Sequence, residues 1–287
     1  MKPLSFKSLK QMLDTLRTEE ECRVYLETLR WNGKPVCPHC GSMSEDHYKL
    51  TQGGEFKGLY KCCDCKKRFT VRQGIMFEDS NLPLRTWFHA IYLVFISKKG
   101  ISSCQLAREL GVTQKTAWFM LLRHNMKDDD IDFDDTTQVD ETYIGGKTKR
   151  NKGGQGRSTK QKIPVMGLLS KGKVHTRVIP NAGKDTLQGV IYNLIKEGVT
   201  EVTDGWKGYR GLGKKYKHMV VNHSKKIYVT KAGFHTNGIE GYWSIFKRGI
   251  RGIYHLVSAK HLPKYLQEFA FRYNTRKQTD SDRFNDF

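Results

Sequence analysis

The chain has no long apolar run. A membrane-spanning helix takes about 20 consecutive apolar residues. The longest such stretch here, Trp87 to Ile96, is about half that, so no bilayer-spanning segment is expected. The first residues, Met-Lys-Pro-Leu-Ser-Phe-Lys, lack an apolar core and a small-residue cleavage site, so a secretory signal is not expected either. Acidic residues are scarce beside basic ones, 29 against 50, for a formal charge of +21. That imbalance excludes a polycation-binding surface as the main feature and points to a polyanionic partner. Without membrane signals, nucleic acid is the expected partner and the cytoplasm the expected compartment. The 38% hydrophobic and 11% aromatic content argues against disorder. A length of 287 residues allows one large domain plus small modules.

A disulfide framework is also missing. The seven cysteines include Cys37-Pro-His-Cys40 and, after 21 intervening residues, a second Cys-x-x-Cys at Cys62 and Cys65. Two such turns supply four thiolates to a tetrahedral zinc ion. Gly53-Gly54 and the β-prone Phe56–Tyr60 between them suit a zinc ribbon. Cys63 is a possible substitute ligand that breaks the spacing. Cys22 and Cys104 lie in helical patterns and are expected to be small core residues.

Periodicity divides the chain into an N-terminal helical hairpin (1–33), a zinc ribbon (34–75) and a helix-turn-helix-like module (80–127). In the last, Ser102 or Ser103 caps a helix through Leu110, Gly111 turns, and Thr113 caps a second helix. Gln114, Lys115 and Thr116 would then face the major groove. Six aspartates within Asp128–Asp135 read as a solvated, self-repelling linker (128–137) rather than a metal site. From 138 to 287 the pattern is strand, hairpin, helix, strand and then helices, with a further short strand at Met219–Asn222. This is the order of an α/β, RNase H-like domain.

Three carboxylates fall in informative places. Asp140 lies in the alternating strand Gln-Val-Asp-Glu-Thr-Tyr-Ile. Asp204 ends the strand Val-Thr-Glu-Val-Thr-Asp, and Glu240, with 35 residues between the two, sits at the start of a helix. Hard oxygen ligands on rigid elements are what two-cation phosphoryl transfer needs. Two acid-free basic tracts flank them, Lys147–Lys162 with seven Lys or Arg and Lys207–Lys231 with eight. Trp206, Tyr209, Tyr216 and Tyr228 interleave with the second. Cations interleaved with aromatics suit phosphate neutralisation and base stacking.

These residues resemble bacterial insertion-sequence transposases of the ISXO-like group, which join a zinc ribbon to a DDE domain. The resemblance covers nearly the whole chain. It rests on Cys37-Pro-His-Cys40 with Tyr60-Lys-Cys62, Asp140-Glu-Thr-Tyr-Ile-Gly-Gly146 and Thr203-Asp-Gly-Trp-Lys-Gly-Tyr209. It also rests on His235-Thr-Asn-Gly-Ile-Glu240 with Lys247-Arg248, and on the closing Glu268-Phe-Ala-Phe-Arg-Tyr-Asn274. It implies catalysis by Asp140, Asp204 and Glu240 with Mg²⁺ or Mn²⁺, a phosphate-binding Lys247, and structural Zn²⁺. Asn237, one turn before Glu240, competes for the third position. A carboxylate binds Mg²⁺ more strongly than an amide, which leaves Asn237 a supporting contact. DNA contacts are expected from Lys149, Arg150, Lys207, Lys214, Lys215, Arg248 and Arg251. The implied partners are duplex DNA, as element ends and target, and further copies of the chain in a dimer or larger assembly. Two other readings fit the same residues: a DNA-binding regulator with an inactive RNase H-like domain, or a nuclease or resolvase on that fold.

Overall fold

The computed structural model describes residues 4–123, 131–145, 162–225 and 227–285. It forms two compact units, Met1–His124 with Gln278–Phe287, and Asn125–Lys277.

The first unit opens with α1 (Leu9–Thr15) and α2 (Glu19–Trp31). Thr18 and Glu21 form a capping box that satisfies the orphan amides at the start of α2. The ribbon strands β1 (Tyr48–Gln52), β2 (Glu55–Lys61) and β3 (Arg68–Phe69) pair antiparallel in that order. At the centre lies α3 (Leu84–Ile96), which buries Leu84, Trp87, Phe88, Ala90, Ile91, Tyr92, Val94 and Phe95. A helix apolar on nearly every side is stable only when surrounded. Pro83 cannot cap α3 with a side chain, and the Glu19 carboxylate instead accepts from the amides of Leu84 (2.8 Å) and Arg85 (3.2 Å). Next come α4 (Ser103–Leu110) and α5 (Gln114–Arg123). Ser102 caps α4, and Gly111 turns between the helices at φ +65°, a backbone position that favours glycine. Two helices joined by a glycine turn thus stand at 103–110 and 114–123.

Three expectations are corrected here. Residues 278–287 were read as part of the catalytic domain, but α9 (Asp280–Asn285) belongs to the first unit. Its Phe284 is fully buried among Phe6, Tyr25, Phe88 and Tyr92, and this aromatic burial outweighs chain continuity. Cys104 is exposed, although Cys22 is buried as expected. The acidic stretch is not wholly a solvated linker. Phe133 is 4% exposed within the core of the second unit and bridges to Ile195. Asp134 pairs with Lys171 at 2.6 Å. Residues 128–130 lie outside the described residues.

The second unit is a five-stranded sheet. Its strands are β4 (Thr137–Ile144), β5 (Ile163–Ser170), β6 (Lys173–Val178), β7 (Thr200–Asp204) and β8 (Lys217–Val221), in the order β6-β5-β4-β7-β8. β4, β5 and β6 run antiparallel, and β7 and β8 continue parallel to β4. Lys171 and Gly172, both at positive φ, make the two-residue turn between β5 and β6. Helix α6 (Lys184–Leu194) covers the face that carries Val139, Met166 and Leu168. Helix α7 (Asn237–Gly249) covers the other. It comes close because Gly167, paired opposite Asp140, has no side chain: a Cβ there would meet Trp243 at 2.5 Å and Ile239 at 2.9 Å. Helix α8 (Leu262–Asn274) packs along β6. There the Asn274 amide accepts from the Val174 N–H (2.7 Å) and donates to its carbonyl (3.0 Å), sealing the sheet edge. The architecture is the expected α/β, RNase H-like one, preceded by a zinc ribbon and helices.

Candidate active site

Asp140 and Asp204 share one end of the sheet. Pairing of β4 with β7 is registered at Thr137↔Glu201 and Gln138↔Val202. The same register, continued by two residues, sets Asp140 beside Asp204. Strand alternation places both carboxylates on the α7 face, while Glu141 and Glu201 fall on the α6 face. Gln138 anchors α7 there: its Oε1 accepts the orphan Ile239 amide at 3.0 Å, and Gly238 leaves room for that amide side chain.

Burial, then the charges of Glu141, Asp204 and Glu240, pushes the Asp140 carboxyl up to about 7. Several acids thus bear on one buried carboxyl. Burial lowers the Lys247 ammonium, with Asp140 pulling the other way, so Lys247 on α7 reaches the field of Asp140. Asp204 accepts from the Trp206 amide at 2.9 Å, an Asx turn that fixes one of its two oxygens. Glu240 is exposed in the first turn of α7. Its Oε1 accepts from Thr236 Oγ1 at 2.6 Å and lies 3.2 Å from His223 Nε2, an ion pair only when that ring is protonated. Asn237 is exposed at the helix start. Among the described residues, the carboxylates do not form a cluster with all ligand oxygens within 4.8 Å of one another.

Sequence reasoning did not single out Gln138, Glu141, His223 or Thr236, and it took Tyr209 for a base-stacking aromatic. Glu141 directly follows Asp140 in the quoted motif, and Tyr209 ends the Asp204 motif. Both could have been flagged by proximity, whereas the Gln138 and His223 contacts are tertiary.

The four ribbon cysteines converge as expected. Cys37 and Cys65 sulfurs lie 3.7 Å apart and those of Cys40 and Cys62 3.6 Å apart. A tetrahedral zinc site with Zn–S of about 2.3 Å has sulfur–sulfur edges of about 3.8 Å, so the sulfurs fit structural zinc. Each turn closes through a residue at positive φ, Gly41 and Lys66, and the amides of Cys37 and Cys62 pair across it to Ser42 and Lys67 carbonyls. Cys63 stands outside the set, its sulfur 3.3 Å from His47 Nδ1.

The expected DNA-facing side chains differ in availability. Lys115 is exposed, whereas Gln114 donates to Ser103 Oγ at 2.7 Å and Thr116 bonds Thr113 at 2.8 Å. Lys207, Lys214 and Arg251 are exposed. Lys215 pairs with Glu197 at 2.6 Å and lies over the Tyr192 ring, and Arg248 donates to the Ser244 carbonyl. Lys149 and Arg150, with most of the first basic tract, lie outside the described residues. No helix among the described residues is long and apolar enough to cross a membrane.

Residues 133–274 match the ISXO2-like transposase domain, and residues 17–68 match the transposase zinc-ribbon domain of the same IS1595 group. Together the two matches span about two thirds of the chain. The chain belongs to this family of insertion-sequence transposases. The first match begins at 133, where Phe133 enters the core, and ends at Asn274, which seals the sheet edge. A Halobacterium salinarum protein, "Uncharacterized protein in transposable element ISH50", is 27% identical over 283 residues, covering 91% of this chain and 92% of its own. A solved structure, the Mos1 strand transfer complex, shares 11% identity over 68% of this chain and 78% of its own at a TM-score of 0.25. Family membership supports a transposase of the polynucleotidyl transferase type, and its DDE domain implies a divalent metal.

Proposed function

We propose that this transposase binds the ends of its insertion element and catalyses strand cleavage and strand transfer there, dependent on Mg²⁺ or Mn²⁺. Asp140, Asp204 and Glu240 would hold the cations through hard carboxylate oxygens. Bound there, such cations supply Lewis-acid activation of the attacking oxygen and neutralise charge on the leaving one. The observation that carries this reading is the register that sets Asp140 beside Asp204 on one face of the sheet, where burial and three neighbouring acids push the Asp140 carboxyl up to about 7. Such a group is stabilised by an added cation, and its donor set suits hard metals.

Around it the chain's own groups take distinct tasks. Thr236 and His223 orient the Glu240 carboxylate, and the Asx turn at Trp206 orients Asp204. Lys247, partly buried near Asp140, would bind a non-bridging oxygen of the scissile phosphate and steady developing charge. Asn237 gives a supporting contact. Lys207, Lys214, Arg248 and Arg251 would track the backbone, and Lys115, Gln114 and Thr116 would read the element end, the last two on release from their present partners. Synapsis of two ends calls for a dimer or larger assembly.

The test is a duplex carrying the terminal sequences that flank this coding sequence, incubated with protein and Mg²⁺ or Mn²⁺. Nicking at the element boundary that is lost in Asp140→Asn and Glu240→Gln supports the reading. Retained end binding without any nicking by the unmodified chain would instead favour the regulator, and boundary-independent cutting a nuclease.

A further inference from the structure

Backbone pairing between β4 and β7 stops at Gln138↔Val202, two residues short of the two aspartates. The strands are therefore untied at the place where two like charges sit side by side. On the opposite face, Tyr209 crosses the gap. Its hydroxyl donates to Glu141 Oε2 at 2.6 Å, and its ring is 1% exposed in the α6 core. Glu141 is the residue next to Asp140. Tyr209 ends the short helical turn Lys207–Tyr209, whose start is fixed to Asp204 through Trp206.

That turn is itself held. The Gln188 amide on α6 donates to the carbonyls of Gly208 (3.1 Å) and Arg210 (2.9 Å), and the Tyr192 hydroxyl donates to Gln188 Oε1 (3.0 Å). Gly208 permits the close approach, since a Cβ would meet Leu187 at 2.7 Å. The phenol is thus rigid relative to both α6 and the Asp204 turn. A buried tyrosine needs only some acceptor, and a carbonyl would serve. Here the acceptor is a carboxylate, set beside Asp140 in an already acidic place. A charge-assisted bond is shorter and stronger than a neutral one, which suits a tie under load.

We infer that Tyr209 and Glu141 form a clasp beneath the sheet that sets the spacing of Asp140 and Asp204, and with it the affinity of the site for divalent cations. Both are positioning residues, and the inference rests on the assignment of those aspartates as cation ligands. Outer groups that orient metal ligands typically change metal affinity by about 10- to 100-fold.

The test is Mn²⁺ binding to the zinc-loaded full chain, read by electron paramagnetic resonance of free Mn²⁺, with the site defined as the binding lost in Asp140→Asn. Tyr209→Phe keeps the ring and loses the bond. It should weaken binding about 10-fold or more, with Glu141→Ala similar and Glu141→Gln, which keeps an acceptor, milder. The Tyr209→Phe/Glu141→Ala double variant should be no weaker than the worse single one, because both remove one tie. Unchanged Mn²⁺ affinity in Tyr209→Phe, or additive losses in the double variant, would overturn the clasp. Binding that survives Asp140→Asn would overturn the cation-ligand assignment instead, so the two failures are distinguishable. A circular-dichroism melt of each variant without Mn²⁺ identifies a general loss of fold; if Tyr209→Phe melts, the inference is decided on Glu141→Gln against Glu141→Ala, and equal affinities in that pair refute it.

Discussion

Replacing Asp140 by Asn should make the protein more stable while abolishing its chemistry. Asp140 is raised from an ordinary 3.8 to about 7 by burial and by the charges of Glu141, Asp204 and Glu240. Below pH 4 the carboxyl is protonated in the folded and unfolded states alike, and it carries no penalty. As pH rises, the unfolded chain ionises first and the folded state falls behind. Stability is therefore lost between about pH 4 and 7, and the loss is complete above that range. The difference of roughly 3 pH units corresponds to about 4 kcal/mol. Asparagine has nearly the same shape and no charge, so it escapes the penalty. In zinc-loaded protein without Mg²⁺, Asp140→Asn should gain up to about 4 kcal/mol at pH 8 and little at pH 4.5. In a unit of this size that is roughly 10 °C in melting temperature. Adding Mg²⁺ should raise the unmodified protein and leave the variant unchanged. Urea unfolding and thermal melts across pH 4.5 to 8.5 measure it. A gain that is absent at pH 8, or equal at both ends of the range, refutes the reasoning.

Glu201 should behave in the same direction: burial alone pushes it from 4.5 up to about 8, and neither carboxylate oxygen has a hydrogen-bond partner. Glu201→Gln should therefore stabilise increasingly as pH climbs from 4.5 through 8, which pH-dependent melts would register. The ribbon should bind one zinc per chain, and Cys40→Ser should release it and unfold the ribbon, seen as loss of amide-exchange protection over Tyr48–Phe69. Exposed Lys214 should contribute to DNA binding, so that Lys214→Ala lowers the log–log salt slope by about 1. Lys215→Ala should lower it less, because its ammonium is held by Glu197. Asn237→Ala should leave most cleavage intact where Glu240→Gln removes it, as single-turnover rates would show.

Much of this was legible in the sequence because local chemistry decided it. Cys-x-x-Cys turns place sulfurs wherever they occur, and Gly111 at positive φ closes the turn its type announces. The strand bearing Asp140 alternates cleanly, so its carboxylate's face follows from period alone. The parts that escaped depend on distant partners. Asp280–Asn285 has a weak helical pattern, and nothing near it in the chain tells that Phe284 fits an aromatic cluster in the N-terminal unit. Phe133 hides in an acidic run whose charges dominate any reading, yet one phenylalanine docks that run on the core. His223 looks like one more member of a basic tract until tertiary structure sets it 3.2 Å from Glu240. Tyr209 reads as a stacking aromatic on composition, whereas it is a core residue bound to Glu141.

The central claim is that Asp140, Asp204 and Glu240 together make a cation-dependent strand-cleaving site. The most direct test is the single-turnover nicking rate at the element boundary for the unmodified chain, Asp140→Asn, Asp204→Asn and Glu240→Gln, with end binding measured in parallel. The account predicts Mg²⁺- or Mn²⁺-dependent nicking that falls at least about 100-fold in each variant while end binding persists. Nicking that survives in any one of the three would contradict it.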